Sequence, residues 1–415
     1  MADAERWIVA VEEPFLPADA GGRVETLTFL AAAAAAGIGL RVLVPTPTAL
    51  DLAAYQAAVP GAVVIELPRD LSVSAHLGLA PYAYASRPIG ALRRVLAVTP
   101  PCAEAVISYS CRVAHVGEQI AQAWRIPHLV RAHNIDSQYF RELAGAASWM
   151  RSVAYGIEYR KLRRAERVLH RSPTVTCIAD ISAEDHAWRR ARCGTRAMHL
   201  PPFLPAQVGT ASAEAGMIKR DPGRLLFVGS LDTPTNTEAL RWFLAHCWPA
   251  VRARHPYASL QVVGRRGEAG LVAWLRGHEQ VSVHTDVTSV WGYVTSAAVS
   301  LNPMRSGSGV NIKVVEAMGA GTAVVSTGVG SRGLGWIPGR DLLVADDARG
   351  FTDAVCRLLD APGLAVRIGA AGRAFVSCEL DRDVLLERVR SALDPARGGH
   401  EPGGHESGGY EVRGL

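Results

Sequence analysis

Arg305–Gly330 reads RSGSGVNIKVVEAMGAGTAVVSTGVG, and this stretch decides the fold. A Gly-Ser-Gly turn leads into a short amphipathic helix with one acidic residue, Glu316, which passes through Gly319 and Gly321 into the β-branched run Ala323–Ser326. Turn, helix and buried strand in succession are one repeat of a parallel α/β sheet. The first N–H groups of a helix lack intrahelical partners and carry partial positive charge. The turn Ser306-Gly307-Ser308-Gly309-Val310 is therefore suited to receive a phosphate, with Lys313 one turn further on. The Glu316 carboxylate beyond it suits a sugar diol, and the combination points to a nucleotide-sugar diphosphate.

The same grammar recurs on both sides of this stretch. Ahead of it, apolar runs at Arg224–Gly229, Ser259–Val263, Val281–His284 and Ala298–Asn302 predict strands of one sheet. Nearer the N-terminus, Arg6–Val11 predicts a strand, followed by a loop ending in Gly21-Gly22. An alanine-rich helix is expected from about Arg23 to Ala36, with Gly37 as its C-cap and a strand at Leu40–Val44. Later strands are expected at Ala62–Leu67, Ala105–Tyr109, His128–Arg131 and Thr174–Ile178. Two Rossmann-like units follow: residues 1–203, a linker at 204–223 that continues the Pro-rich Leu200–Pro205 stretch, and residues 224–399. The last segment, 400–415, is too rich in glycine and too poor in apolar residues to pack and is expected to be disordered.

The 415 residues, 49% of them hydrophobic and 20% charged, are enough for two separate cores. A formal net charge of +5 is too mild to imply nucleic acid. Seven cysteines with no CxxC pair argue against a disulfide framework or a zinc site, so a reducing cytoplasm is expected. The most apolar window, Leu27–Leu40, is too short to span a bilayer.

Several smaller motifs bear on chemistry. Gly328–Gly333 is a literal GxGxxG after a strand, but Leu334-Gly335-Trp336-Ile337-Pro338-Gly339 cannot open the helix that a dinucleotide site requires. A turn bordering the cleft between the units is the better reading. Gly21 and Gly22 let the backbone approach a ligand closely. Arg131, His133, Asn134 and Asp136 cluster at the C-terminal end of a strand, the ligand-binding edge of an open α/β sheet. Arg265, in Gly264-Arg265-Arg266-Gly267, stands at another such end. Tyr159–Arg171 carries Arg160, Lys161, Arg163, Arg164, Arg167 and Arg171, either a solvated face or a weak peripheral contact with anionic lipid.

Glu316, Ala317, Met318, Gly321, Ala323, Val324 and Val325 resemble the donor-site signature of family 4 glycosyltransferases, the group 1 retaining enzymes of GT-B fold. The resemblance implies two Rossmann-like domains facing each other across a cleft, the acceptor held by the first and the nucleotide sugar by the second. The family's signature has another glutamate upstream, separated from this one by seven residues; Ser308 stands there, which matches a subgroup lacking that glutamate. The resemblance places Gly22 over the donor phosphates, Gly21 by the acceptor and His133 beside the reacting sugar, with Arg131 and Asn134 as further acceptor contacts. It gives Glu316 the ribose hydroxyls, and Ser308, Gly309 and Lys313 the departing diphosphate. Gly229-Ser230…Asn236 is the family's second diphosphate loop, with Ser230 and Asn236 where many members have arginine and lysine.

The function expected is glycosyl transfer from a nucleotide-diphosphate sugar to a saccharide, lipid-linked glycan or secondary metabolite. No cofactor and no obligatory metal are expected, because neither unit has an Asp-Xaa-Asp pair suited to holding magnesium against a diphosphate. A GT-B sugar-nucleotide epimerase and a catalytically silent GT-B binding subunit are the alternatives.

Overall fold

The computed structural model describes residues 5–18, 21–73, 75, 78–98, 102–146, 148–205, 220–307 and 309–394. Most of the expected linker, the 400–415 tail and Ser308 lie outside them.

Two wholly parallel sheets organise the chain. The first contains β1 (Arg6–Val11), β2 (Gly39–Thr46), β3 (Val63–Pro68), β4 (Ala105–Tyr109), β5 (His128–Ala132), β6 (Val175–Asp180) and β7 (Ala197–His199) in the order β3-β2-β1-β4-β5-β6-β7. The second contains β8 (Asp221–Val228), β9 (Ser259–Gly264), β10 (Val281–Thr285), β11 (Ala297–Asn302), β12 (Ala323–Ser326) and β13 (Leu343–Val344) in the order β10-β9-β8-β11-β12-β13. In each, the chain winds outward on one side of its first strand and then crosses to the other. Each sheet therefore has a switch point, between β1 and β4 and between β8 and β11, where an open α/β sheet leaves a crevice beyond its strand ends.

The strands read as near-continuous apolar runs because helices cover both faces. Trp7, Val9, Phe29, Ile107 and Phe203 are buried in the first unit, and Leu225, Phe227, Phe243, Leu260 and Phe351 in the second. Phe203 meets Phe29 edge-on at 5.2 Å, which ties the Pro-rich stretch into the first core. The last helix, Arg382–Leu393, returns to the first unit, where Leu385, Leu386, Val389 and Leu393 join Trp7 and Phe29 in one cluster. Arg390 Nε pairs with Glu5 there at 2.9 Å.

One local expectation is corrected. Gly21 and Gly22 are the first two residues of the Gly21–Ala35 helix rather than a loop ahead of it. The first N–H groups of a helix have no intrahelical acceptor, so glycine is tolerated there and leaves the helix end uncovered.

Candidate functional site

Beyond β11 the chain turns through Met304 and Arg305 into the Gly-rich bend. Gly307 (φ 130°) and Gly309 (φ 75°) occupy the left-handed half of conformational space, which explains glycine at both. The Ile312–Gly319 helix starts immediately after, with Asn311 at its N-cap position; the Asn311 side chain makes no cap bond to the helix, and its amide instead donates to Gly330 O at 3.1 Å. Lys313 and Glu316 lie one turn apart on this helix. Lys313 Nζ donates to Asn236 Oδ1 at 2.9 Å and lies 4.6 Å over the Phe227 ring. Burial pushes its ammonium down to about 7 and pushes the half-buried Glu316 carboxyl up to about 7. Among the described residues, no hydrogen bond to the Glu316 side chain is formed.

Asn236 completes the arrangement by donating to Ser230 O at 2.9 Å, so Ser230, Asn236 and Lys313 form a chain across the β8 and β11 strand ends. Gly229 is confined beneath it, since a Cβ there would lie 2.9 Å from Asn236 Nδ2. Ser306 turns to Glu238 at 3.0 Å, and Arg305 stacks over Trp242 at 5.0 Å. Arg265 follows β9, its carbonyl accepting from Leu231 N at 2.8 Å.

In the first unit, the loops after β1, β4 and β5 enclose a polar cavity of about 170 Å³ lined by Glu12, Gly22, Tyr109, Arg112, His133 and Asp136 among others. Arg112 bridges Glu12 at 2.8 Å and Asp136 at 2.9 Å. His133 Nε2 lies 3.1 Å from Glu25 Oε2. Burial would raise the Glu25 carboxyl, but Arg131 and His133 together outweigh it and hold it at about 2.

Arg131 is not an acceptor contact. Its side chain is 1% exposed and is consumed by Glu25 at 2.8 Å and by the carbonyls of Leu200 and Pro201. Arg131 and His133 share a strand face, and the arginine is the deeper of the two. Glu25 was missed because a single acid in an alanine-rich helix carries little signal; one helical turn from Phe29, it lay on the buried face all along. Glu12 and Arg112 were missed because only the fold brings residues so far apart in the chain together.

The two half-sites face each other. A Cβ on Gly309 would lie 2.7 Å from Asn134 Oδ1, and one on Gly21 would lie 3.5 Å from Ile312 Cγ1. Gly333 O accepts from Ala183 N at 2.8 Å, and Val310 packs over Gly333 so closely that any side chain there would collide. The literal GxGxxG is thus a turn seated against the opposite unit. His133, Asn134, Gly21 and the 305–316 segment share one cleft, and Ser230 and Asn236 join it through Lys313.

Two doubly wound units facing across a cleft, with a returning C-terminal helix, define a GT-B protein. Residues 222–361, within the second unit, match the family described as "Glycosyl transferases group 1". The chain is 32% identical over 207 residues to the phosphatidyl-myo-inositol mannosyltransferase of Mycolicibacterium smegmatis, covering 48% of this chain and 52% of that protein. It spans about a third to a half of the curated relatives it matches. Among solved structures, sucrose-phosphate synthase from Thermosynechococcus elongatus shares the fold at TM-score 0.66 and 18% identity, over 93% of this chain and 97% of that one. Anabaena HepE in complex with UDP and glucose does so at 0.62 and 13%, over 93% and 98%.

Proposed function

We propose that the protein transfers a glycosyl group, with retention, from a nucleoside-diphosphate sugar to a saccharide, lipid-linked glycan or secondary-metabolite acceptor. The observation that carries this reading is the meeting of the Gly309 bend with Asn134 across the cleft. It puts the start of a helix, and its unpaired N–H groups, against the strand ends of the opposite unit.

In this reading, Glu316 accepts the nucleotide's ribose hydroxyls, for which its unpartnered carboxylate is available. The diphosphate rests on the N–H groups around Gly309, with Ser306, Gly307 and Val310 shaping the bend. Lys313 is held by Asn236 within reach of it. As the sugar–phosphate bond breaks, negative charge gathers on the leaving group, where fixed N–H dipoles and a desolvated ammonium stabilise it most. His133, oriented by Glu25, faces the sugar, Gly22 lies over the donor phosphates, and Gly21, Asn134 and the Glu12–Arg112–Asp136 cavity border the acceptor. The mycobacterial relative, a phosphatidyl-myo-inositol mannosyltransferase, favours a lipid-linked acceptor, and HepE's bound UDP a uridine donor. All seven cysteines are free, which suits a reducing cytoplasm.

The test is a thermal-shift panel of UDP, GDP, dTDP and ADP with their common sugars, because stabilisation scales with occupancy. One nucleotide should stand out, and Glu316→Ala should abolish its effect. No response to any of them would end the proposal. Activity with donor and acceptor should also survive a strong chelator; complete loss restored by magnesium would refute the metal-free reading.

A further inference from the structure

The helix Trp149–Leu169, far from the donor bend in sequence, has two dissimilar faces. Inward lie Leu162, Glu166 and Leu169. Both of the helix's carboxylates are occupied: Glu158 accepts Tyr82 N–H at 2.7 Å, and Glu166 accepts the N–H and hydroxyl of Ser137 at 3.0 and 2.6 Å. The outward stripe, in steps of three and four, begins apolar and ends cationic. Trp149 (76% exposed), Met150 (64%), Val153 (57%) and Ile157 (47%) come first, followed by the exposed Arg160, Arg164 and Arg167.

Two neighbouring features extend this stripe. Leu79, 89% exposed, stands three residues before the Tyr82 whose N–H Glu158 accepts. At the cationic end, a shallow hollow of about 450 Å³ is lined by Arg164, Arg167, Arg171 and Ser172, with Glu118 also present. Glu118 is engaged by Thr174 and by Ser172.

We propose that this face docks on the surface of an anionic lipid bilayer. An exposed tryptophan with aliphatic neighbours suits the headgroup–acyl boundary, and an acid-free run of arginines complements negative headgroups. Glu166 reaches Ser137, the neighbour of the cavity-lining Asp136, so the cationic end of this helix is tied to the wall of the cavity beside His133. No described helix is long and apolar enough to cross a membrane, so the contact is peripheral.

The test is co-flotation of the full chain with vesicles of phosphatidylcholine alone and of phosphatidylcholine with one third phosphatidylglycerol. It is run without nucleotide or acceptor, so its outcome is independent of the donor-site reading. The chain should partition onto the mixed vesicles and not the neutral ones. Arg164→Gln with Arg167→Gln should lower partition about tenfold, as should Trp149→Ser with Ile157→Ser, with circular dichroism unchanged. Absence from the mixed vesicles, or equal partition by wild type and both variants, would overturn the proposal. So would a concentration-dependent dimer that Trp149→Ser dissolves, since a second copy would then own this face.

Discussion

At the scale of single residues, the site's chemistry is concentrated in Lys313 and Glu316, which both titrate at about 7. A diphosphate beside Lys313 favours the ammonium, so above pH 7 binding must take up a proton and affinity falls as pH rises. Hydroxyls donating to Glu316 favour the carboxylate, so below pH 7 binding must release a proton and affinity falls as pH drops. Donor affinity should therefore be bell-shaped, with limbs of at most about tenfold per pH unit. Glu316→Gln should remove the acid limb and Lys313→Met the alkaline one; calorimetry of nucleotide binding from about pH 5.5 to 8.5 reads both. The same burial costs stability. Lys313 titrates below its unfolded value of 10.5, so the unfolded chain binds more protons between 7 and 10.5. The penalty is complete below pH 7 and fades as pH rises, and Lys313→Met should raise the melting temperature at neutral pH while weakening donor binding.

Glu25 has the opposite sign. Its carboxyl is held at about 2 against an ordinary 4.5, so its stabilising contribution is complete above pH 4.5 and lost as pH falls toward 2. Glu25→Gln leaves Arg131 buried with a weakened partner and should cost about 3–5 kcal/mol in urea unfolding. Adding Arg131→Met should recover much of that, since the pair is replaced rather than broken. A double variant no more stable than the single one would show that Glu25 acts chiefly through His133.

At the scale of elements, the strands were legible wherever a β-branched run was long enough. Arg6–Val11, Ala105–Tyr109 and Ala323–Ser326 begin and end where the sequence predicts, and the other predicted strands differ by one to three residues. β7 and β13, of three and two residues, were invisible, because so few positions establish no period. The donor bend was legible as well, since Gly307 and Gly309 must be glycine for conformational reasons that local sequence displays. Partnerships between distant elements were not: Arg131 looked like a ligand contact from its neighbours and proved to be a buried counter-charge to a helix far up the chain. The close approach of Gly309 to Asn134 is likewise a property of two elements. Gly309→Ala combines positive φ with a collision at 2.7 Å and should lower kcat/KM by about tenfold or more, while the far units keep their secondary structure. Unchanged kinetics would mean that the cleft is wider in solution and that the bend does not need Asn134.

At the scale of the whole molecule, the chain passes from one unit to the other twice, once between Pro205 and Arg220 and once where the Pro362–Glu379 helix ends and Arg382–Leu393 begins. The second crossing is anchored by Asp381, whose carboxylate accepts the N–H groups of Asp383 and Val384 at 3.0 Å each. The final helix thus follows the second unit in sequence and packs in the core of the first, so its loss should be felt on the side opposite to its covalent neighbours. Leu386→Ala removes a fully packed side chain among Trp7, Phe29 and Val389 and should cost the first unit about 2–5 kcal/mol. Thermal unfolding followed with a stabilising nucleotide should separate two transitions, the lower one moved by Leu386→Ala and the upper one moved by nucleotide. A single transition displaced by both would instead mean that the returning helix couples the units into one cooperative fold, and that donor binding in one unit is felt at the acceptor cavity of the other.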